Sequence, residues 1–136
     1  MRYLQKKHMK KLVFVLLMIA GIAACKKDKA ATPSVVGFWE GNYGNGSTVP
    51  DQNYCFLFRS NGTVRVYADA TDTATAGKAE GTYIVTGNTV KTTYTYPANL
   101  SYSTLATADA EFKTLDGTWG DNANTSGRGT FRVFKK

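Results

Sequence analysis

Apolar and polar residues alternate with a period of two through most of the chain after residue 34. In residues 54–59, three aromatic residues fall on one face of the segment, and Cys, Leu and Arg alternate with them on the other. Segments rich in Thr, Val, Tyr and Phe are separated at short intervals by Gly and Asn, and apolar runs with a helical period are missing. Because successive side chains of a strand point to opposite faces, this pattern predicts an all-β domain.

Two hairpins are the clearest local elements. The first joins residues 54–59 to 63–68 through an Asn-Gly turn, and the second joins residues 81–86 to 89–96 through a Gly-Asn turn. Gly and Asn accept the positive φ that tight turns require. Both turns therefore predict antiparallel pairs of neighbouring strands.

The rest of the domain is less regular. Residues 97–110 predict one short strand and a loop, residues 110–115 and 117–120 predict further strand, and residues 128–134 predict the last strand. The total is seven to nine short strands with short connections. This favours an antiparallel up-and-down meander of about eight strands, closed into a small barrel because closure removes the two unpaired edges.

The N-terminal segment has a different composition. Five Lys and Arg residues precede an apolar stretch at residues 12–19, and small residues precede Cys25. This order is typical of a signal peptide, and the apolar stretch is short for a membrane span. We therefore divide the chain into a signal peptide at residues 1–24, a polar tether at residues 25–34 and a β-barrel domain at residues 35–136.

The tetrapeptide Ile22-Ala23-Ala24-Cys25 resembles the lipobox of bacterial lipoproteins. The resemblance implies that the chain is cut before Cys25 and that fatty-acyl chains such as palmitate are attached to this residue. Two or three acyl chains, at roughly 0.8 kcal/mol per buried methylene, anchor a small domain stably. The sequence therefore predicts a membrane-anchored lipoprotein.

The residues that follow Cys25 indicate in which membrane the lipid anchor is inserted and to which side the domain faces. Lys26 stands where aspartate signals retention in the inner membrane of enterobacteria, and Asp28 alone represents the acidic cluster of surface-exported lipoproteins. We expect a lipid anchor in the outer membrane with the domain facing the periplasm. The cell surface is the alternative.

The formal net charge of +7 comes from the N-terminal segment. Eight Lys and Arg residues lie before residue 30, whereas residues 35–136 hold nine basic and nine acidic side chains. The barrel domain is therefore neutral, and its charge gives no reason to expect a nucleic-acid partner.

Residues 25–136 contain no histidine, because the single histidine, His8, lies in the predicted signal peptide. The absence of histidine from residues 25–136 excludes Ser-His-Asp and Cys-His catalytic sites and zinc sites that use histidine. Cys55 has no disulfide partner once Cys25 is acylated, and we expect it to be a small buried residue.

Carboxylates are the remaining candidates for catalysis or metal binding. Glu40, Glu80 and Glu111 lie at or near strand starts, but glycosidases that use such pairs are normally much larger. The oxygen-rich residues 116–124 lack the spacing of an EF-hand loop. We therefore expect no enzyme, no metal and no cofactor.

The motif Gly37-Phe38-Trp39 at the first strand resembles the Gly-x-Trp signature of lipocalins. The resemblance implies that Trp39 plugs the closed end of the barrel and packs on Arg128 or Arg132. The overall pattern is most similar to the small lipocalin-like lipoproteins of Bacteroidota, a resemblance that implies fold and location and no catalytic residues. An avidin-like barrel is the structural alternative.

The aromatic residues of the strands allow two interpretations: a filled core, or a cup for a small hydrophobic ligand. In the second interpretation the candidate ligand-binding residues are Trp39, Tyr54, Phe56, Phe58 and Tyr94. We therefore expect a non-catalytic binding role. The alternative is a protein-binding module, such as an inhibitor of a secreted hydrolase, that uses the loops at residues 43–53 or 121–127.

Overall fold

The structure, a computed structural model, describes residues 30–136. The predicted signal peptide, Cys25 and residues 26–29 of the tether lie outside the described residues. In the described range, none of the helical segments has the length and apolar character needed to cross a membrane.

Eight antiparallel strands follow one another around a closed barrel. Each strand pairs with its neighbour in sequence, and the last strand also pairs with the first. This confirms the predicted all-β, up-and-down barrel. The strands are β1 (Gly37–Tyr43), β2 (Gln52–Phe58), β3 (Thr63–Ala68), β4 (Gly77–Thr86), β5 (Thr89–Tyr96), β6 (Leu100–Ala108), β7 (Thr114–Asp121) and β8 (Gly129–Lys135).

Both predicted hairpins are confirmed. Gly62 ends the turn between β2 and β3 with φ of 82°, and Gly87 begins the turn between β4 and β5 with φ of 61°. These are left-handed conformations, which glycine adopts without the steric penalty of a Cβ atom. The strands on either side keep the alternation that the sequence shows.

Two predictions for the second half of the chain are wrong. Residues 97–110 form a single 3₁₀ turn followed by the nine-residue strand β6, which pairs with β5 along its length. The alternation in β6 was hidden because its inward side chains include small residues such as Ala106. Residues 110–113 are a turn, in which Phe112 has φ of 53°, and β7 begins at Thr114.

The barrel interior is filled at the end where the chain enters β1. Trp39 is fully buried there and packs edge-on against Phe58, with 6.3 Å between ring centroids. Phe56 and Phe58 stack with their rings nearly parallel. Smaller buried residues fill the space around these rings: Val64, Val90, Leu115 and Val133. We call this the closed end.

The opposite end contains the loops after β1, β3, β5 and β7 and several partly exposed aromatic side chains, among them Tyr96, Tyr102 and Trp119. Ala68 and Gly77 pair across β3 and β4 at this end. Their small size leaves space between this wall and the tyrosines of the other strands. We call this the open end, and it holds the candidate site.

Candidate ligand-binding site

A cavity of about 280 Å³ opens between the strands at the open end. Its volume corresponds to about nine water molecules at about 30 Å³ each, near the lower limit of small-molecule sites. The wall is formed mainly by aromatic side chains. The lining residues are Tyr43, Tyr54, Ala68, Asp69, Gly77, Tyr94, Tyr96, Leu100, Tyr102 and Trp119.

Six of these aromatic residues form a continuous ring around the cavity, which we call the aromatic ring. Neighbouring members are joined by centroid distances of 5.3–6.1 Å, mostly in edge-to-face geometry, which aromatic pairs prefer over a face-to-face sandwich. A hydrogen bond between two tyrosine hydroxyls closes the circuit. In order around the cavity the members are Tyr54, Tyr43, Trp119, Tyr102, Tyr96 and Tyr94.

The phenols at the cavity floor are neutral at physiological pH. Burial raises the pKa of Tyr54 well above its ordinary value, and the neighbouring Tyr94 raises it further. Burial also raises the pKa of Tyr94, although the hydrogen bond with Tyr54 lowers it. Each phenol therefore keeps its proton and can donate one hydrogen bond as well as accept others.

The hydroxyls nearer the rim differ in their partners. Tyr43 donates a hydrogen bond to the Oδ1 atom of Asp69. Within the described residues, no hydrogen bond from the Tyr96 or Tyr102 hydroxyl is found, and both residues are half-buried. The indole N–H of Trp119 donates to the carbonyl oxygen of Gly44 at 3.0 Å, which holds the loop after β1 against the ring.

Asp69 is the charged member of the described cavity wall. It follows β3 with φ of 67°, a left-handed conformation that aspartate adopts more readily than most residues. Its backbone N–H donates to the carbonyl oxygen of Asn53 at 3.1 Å, so the turn is tied to β2. The carboxylate is thereby held at the rim, beside Tyr43.

The five predicted ligand-binding residues separate into two groups. Tyr54 and Tyr94 line the cavity. Trp39, Phe56 and Phe58 lie below it in the packed core and are at most 1% exposed. The closed half of the barrel therefore has a filled core, and the open half contains a cavity that Tyr54 and Tyr94 line.

Sequence reasoning did not assign Tyr43, Tyr96, Tyr102, Trp119 and Asp69 to the site. The signal that could have found two of them is a tyrosine alternation across the β5–β6 hairpin, where Tyr94 and Tyr102 are paired directly. Pairing of β5 with a full-length β6 had to be known before this alternation could be recognised. Asp69 carries no local signal, because it lies in a loop.

Trp39 lies at the closed end, but its cationic neighbour is not one of the predicted arginines. The Nζ atom of Lys135 lies 5.9 Å from the centroid of the Trp39 ring and donates to the carbonyl oxygen of Ser34 at 2.7 Å. The Trp39 indole N–H donates to the carbonyl oxygen of Val35, also at 2.7 Å. These contacts connect the start and the end of the barrel chain.

The prediction of Arg128 or Arg132 as the packing partner is wrong for a geometric reason. Along β8, Phe131 and Val133 point inward and are buried, so Arg132 points outward. There its guanidinium pairs with Asp116. Arg128 precedes β8 at the open end and pairs with Asp121 at 2.7 Å.

The carboxylates considered for catalysis are paired with basic side chains on the outer surface. Glu40 pairs with Lys136, Glu80 with two arginines and Glu111 with Lys113. All three are exposed and none lines the cavity. In residues 30–136, no group of three His, Cys, Asp or Glu side chains is placed to hold a metal ion.

Cys55 is a free, buried thiol on β2, as expected from the sequence. Burial raises its pKa, so the less nucleophilic thiol form is favoured.

Comparison with known proteins adds no relationship to this description: no family model and no curated protein matches the chain.

Proposed function

We propose that this protein is a membrane-anchored lipoprotein whose barrel binds a small, largely apolar molecule in the cavity at the open end, without catalysing a reaction. The observation that carries the proposal is the aromatic ring around a cavity of about 280 Å³, above a packed closed end. Small-molecule sites are typically concave and mostly apolar, with a few polar groups that orient the ligand.

The point at which the chain enters the barrel agrees with this proposal. The tether continues into Val35 and Gly37, and Trp39 and Lys135 fasten this part of the chain at the closed end. The cavity opens at the other end of the barrel. The described part of the chain therefore enters the barrel at the end away from the cavity mouth.

Native mass spectrometry of residues 26–136, exported to a bacterial periplasm and purified gently, is expected to show a stoichiometric adduct that disappears on denaturation. Tyr102→Ala should abolish or strongly weaken the adduct, because it removes one wall of the aromatic ring. Tyr67→Ala is the matched control, since Tyr67 lies on the outer face of β3, between the buried Val66 and Ala68.

A mass without adduct in the parent protein would contradict the carrier proposal. So would an adduct that Tyr102→Ala leaves intact. In that case the loops at residues 43–53 and 121–127 become the surfaces to test for a protein partner, such as a secreted hydrolase.

The proposed anchor gives a separate prediction. Cys25→Ser should prevent acylation, so metabolic labelling with a clickable palmitate analogue should lose its signal and the chain should no longer be released by the lipoprotein signal peptidase. Cys55→Ser is the matched control, because Cys55 is buried within the barrel wall. Labelling that persists in Cys25→Ser would exclude the lipoprotein assignment.

A further inference from the structure

We propose that the cavity selects a small organic cation, an ammonium ion with an apolar body, whose charge lies among the rings of the aromatic ring and beside the Asp69 carboxylate. This inference rests on the proposed function of the same cavity and names the class of ligand. It follows from the charges and polar groups of the wall.

The wall carries negative charge without a compensating positive charge. Asp69 is its charged side chain, and the lining residues include no lysine or arginine. The basic side chains near this end have other partners: Arg128 pairs with Asp121 at 2.7 Å, and the Nζ atom of Lys78 donates to the carbonyl oxygen of Ala74 at 3.0 Å. Within residues 30–136, Asp69 therefore has a hydrogen bond from Tyr43 to its Oδ1 atom but no cationic partner, so its charge can be paired by a ligand.

The field of Asp69 extends over more than one side of the cavity. Burial raises the pKa of Tyr43, and the hydrogen bond and charge of Asp69 raise it further. Burial, then Tyr94 and then Asp69 raise the pKa of Tyr96. A negative charge that opposes ionisation of phenols on two strands also favours a cation held between them.

The aromatic ring supplies the second attraction. Cations are attracted to the faces of Trp and Tyr when they approach within about 6 Å of the ring centroid, and the attraction increases when the cation is removed from water. The six aromatic members surround the cavity, so an ammonium group there has several rings within reach. The phenol oxygens of Tyr96 and Tyr102 are additional acceptors for a primary ammonium.

Other ligand classes fit these charges less well. An anion would be repelled by Asp69. A neutral apolar molecule would displace water from the Asp69 carboxylate. Because it offers no hydrogen bonds in place of those with water, this desolvation opposes binding. A cation with an apolar body can contact the aromatic rings and also pair with the charge of the carboxylate.

The test compares choline with 3,3-dimethylbutan-1-ol, which has the same shape with a carbon in place of the charged nitrogen. Each is titrated into ¹⁵N-labelled residues 26–136 while the two indole N–H resonances are followed by NMR. Trp119 lines the cavity and Trp39 lies in the closed end, so Trp119 reports binding and Trp39 is the internal control. The Trp119→Phe variant assigns the two signals.

Choline is expected to shift the Trp119 signal and leave the Trp39 signal in place. Its affinity should exceed that of the neutral alcohol by about tenfold, the size of effect that a cation–π contact with a desolvated cation supplies. Asp69→Asn should remove most of this preference with little change in shape. Asp72→Asn, in the same loop but outside the cavity wall, should keep it.

Equal or tighter binding of the neutral alcohol overturns the cation inference, and so does absence of a Trp119 response to either compound. A neutral or anionic adduct found by native mass spectrometry would then leave the carrier proposal standing and exclude the cation. Absence of both an adduct and a response to either probe would remove both proposals.

Discussion

Trp39→Ala is expected to lower the free energy of unfolding by about 3–5 kcal/mol, the range for removing a buried large aromatic side chain. Trp39 has no exposed surface, packs on Phe58 and donates a hydrogen bond to Val35. Its loss leaves a cavity at the closed end, removes the contact with Lys135 and leaves the Val35 carbonyl without this donor. Since the free energy of unfolding of native proteins is only about 5–15 kcal/mol, this loss is a large fraction of the total stability.

Urea unfolding followed by circular dichroism measures the change, with Trp119→Ala as the matched control. Trp119 is half-buried at the cavity rim, so its loss should cost clearly less stability while it removes ligand binding. If Trp39→Ala fails to fold, Trp39→Phe should still fold with an intermediate loss. Equal losses for the two tryptophan-to-alanine variants would show that the closed end is not the main source of stability.

Gly81→Ala is expected to lower the free energy of unfolding by about 3 kcal/mol, the upper part of the usual range for overpacking. A Cβ atom at this position would lie 1.9 Å from the carbonyl oxygen of Thr93 and 2.6 Å from the Cα atom of Tyr94. Both are backbone atoms of β5, which cannot move aside as a flexible side chain can. Because Gly81 is paired with Tyr94, the displaced strand should also disturb the cavity floor.

Gly77→Ala on the same strand is the control. Its Cβ atom would meet its nearest neighbours, in Ala68 and Tyr96, at 3.7 Å, an ordinary contact distance. Its stability should therefore stay near that of the parent or rise slightly, because alanine restricts the unfolded chain. Urea midpoints for the two variants that differ by less than the experimental error would refute the close approach of β4 and β5 at Gly81.

The local pattern of the sequence was sufficient for the strands and for two of the turns. Alternation in residues 54–59 and the glycines at positions 62 and 87 express preferences that act between neighbouring residues, so they can be recognised without the fold. The same reasoning failed in β6, because its inward positions include the small side chains of Ala106 and Ala108, which weaken the apolar alternation. Its length follows from pairing with β5 and β7, which is not a local property.

The candidate site was predictable only in part for a similar reason. The sequence indicates that Tyr54, Phe56 and Phe58 share a face, but it does not indicate what lies across the barrel from each. Tyr54 borders a cavity because Ala68 and Gly77 are small at its level, whereas Phe56 and Phe58 are enclosed by other buried side chains.

By itself, the sequence determined the all-β class and the meander of about eight strands, because both depend on short-range alternation and turn chemistry. The position of Trp39 at the closed end was expected only from the resemblance of residues 37–39 to the lipocalin signature. The tertiary structure decided which end of the barrel is filled and which cation meets Trp39. It also placed Asp69 beside the tyrosines. These features depend on the register of strands that are distant in sequence. A shift of β8 by one residue relative to β1 would turn the side chain of Lys135 outward, away from Trp39.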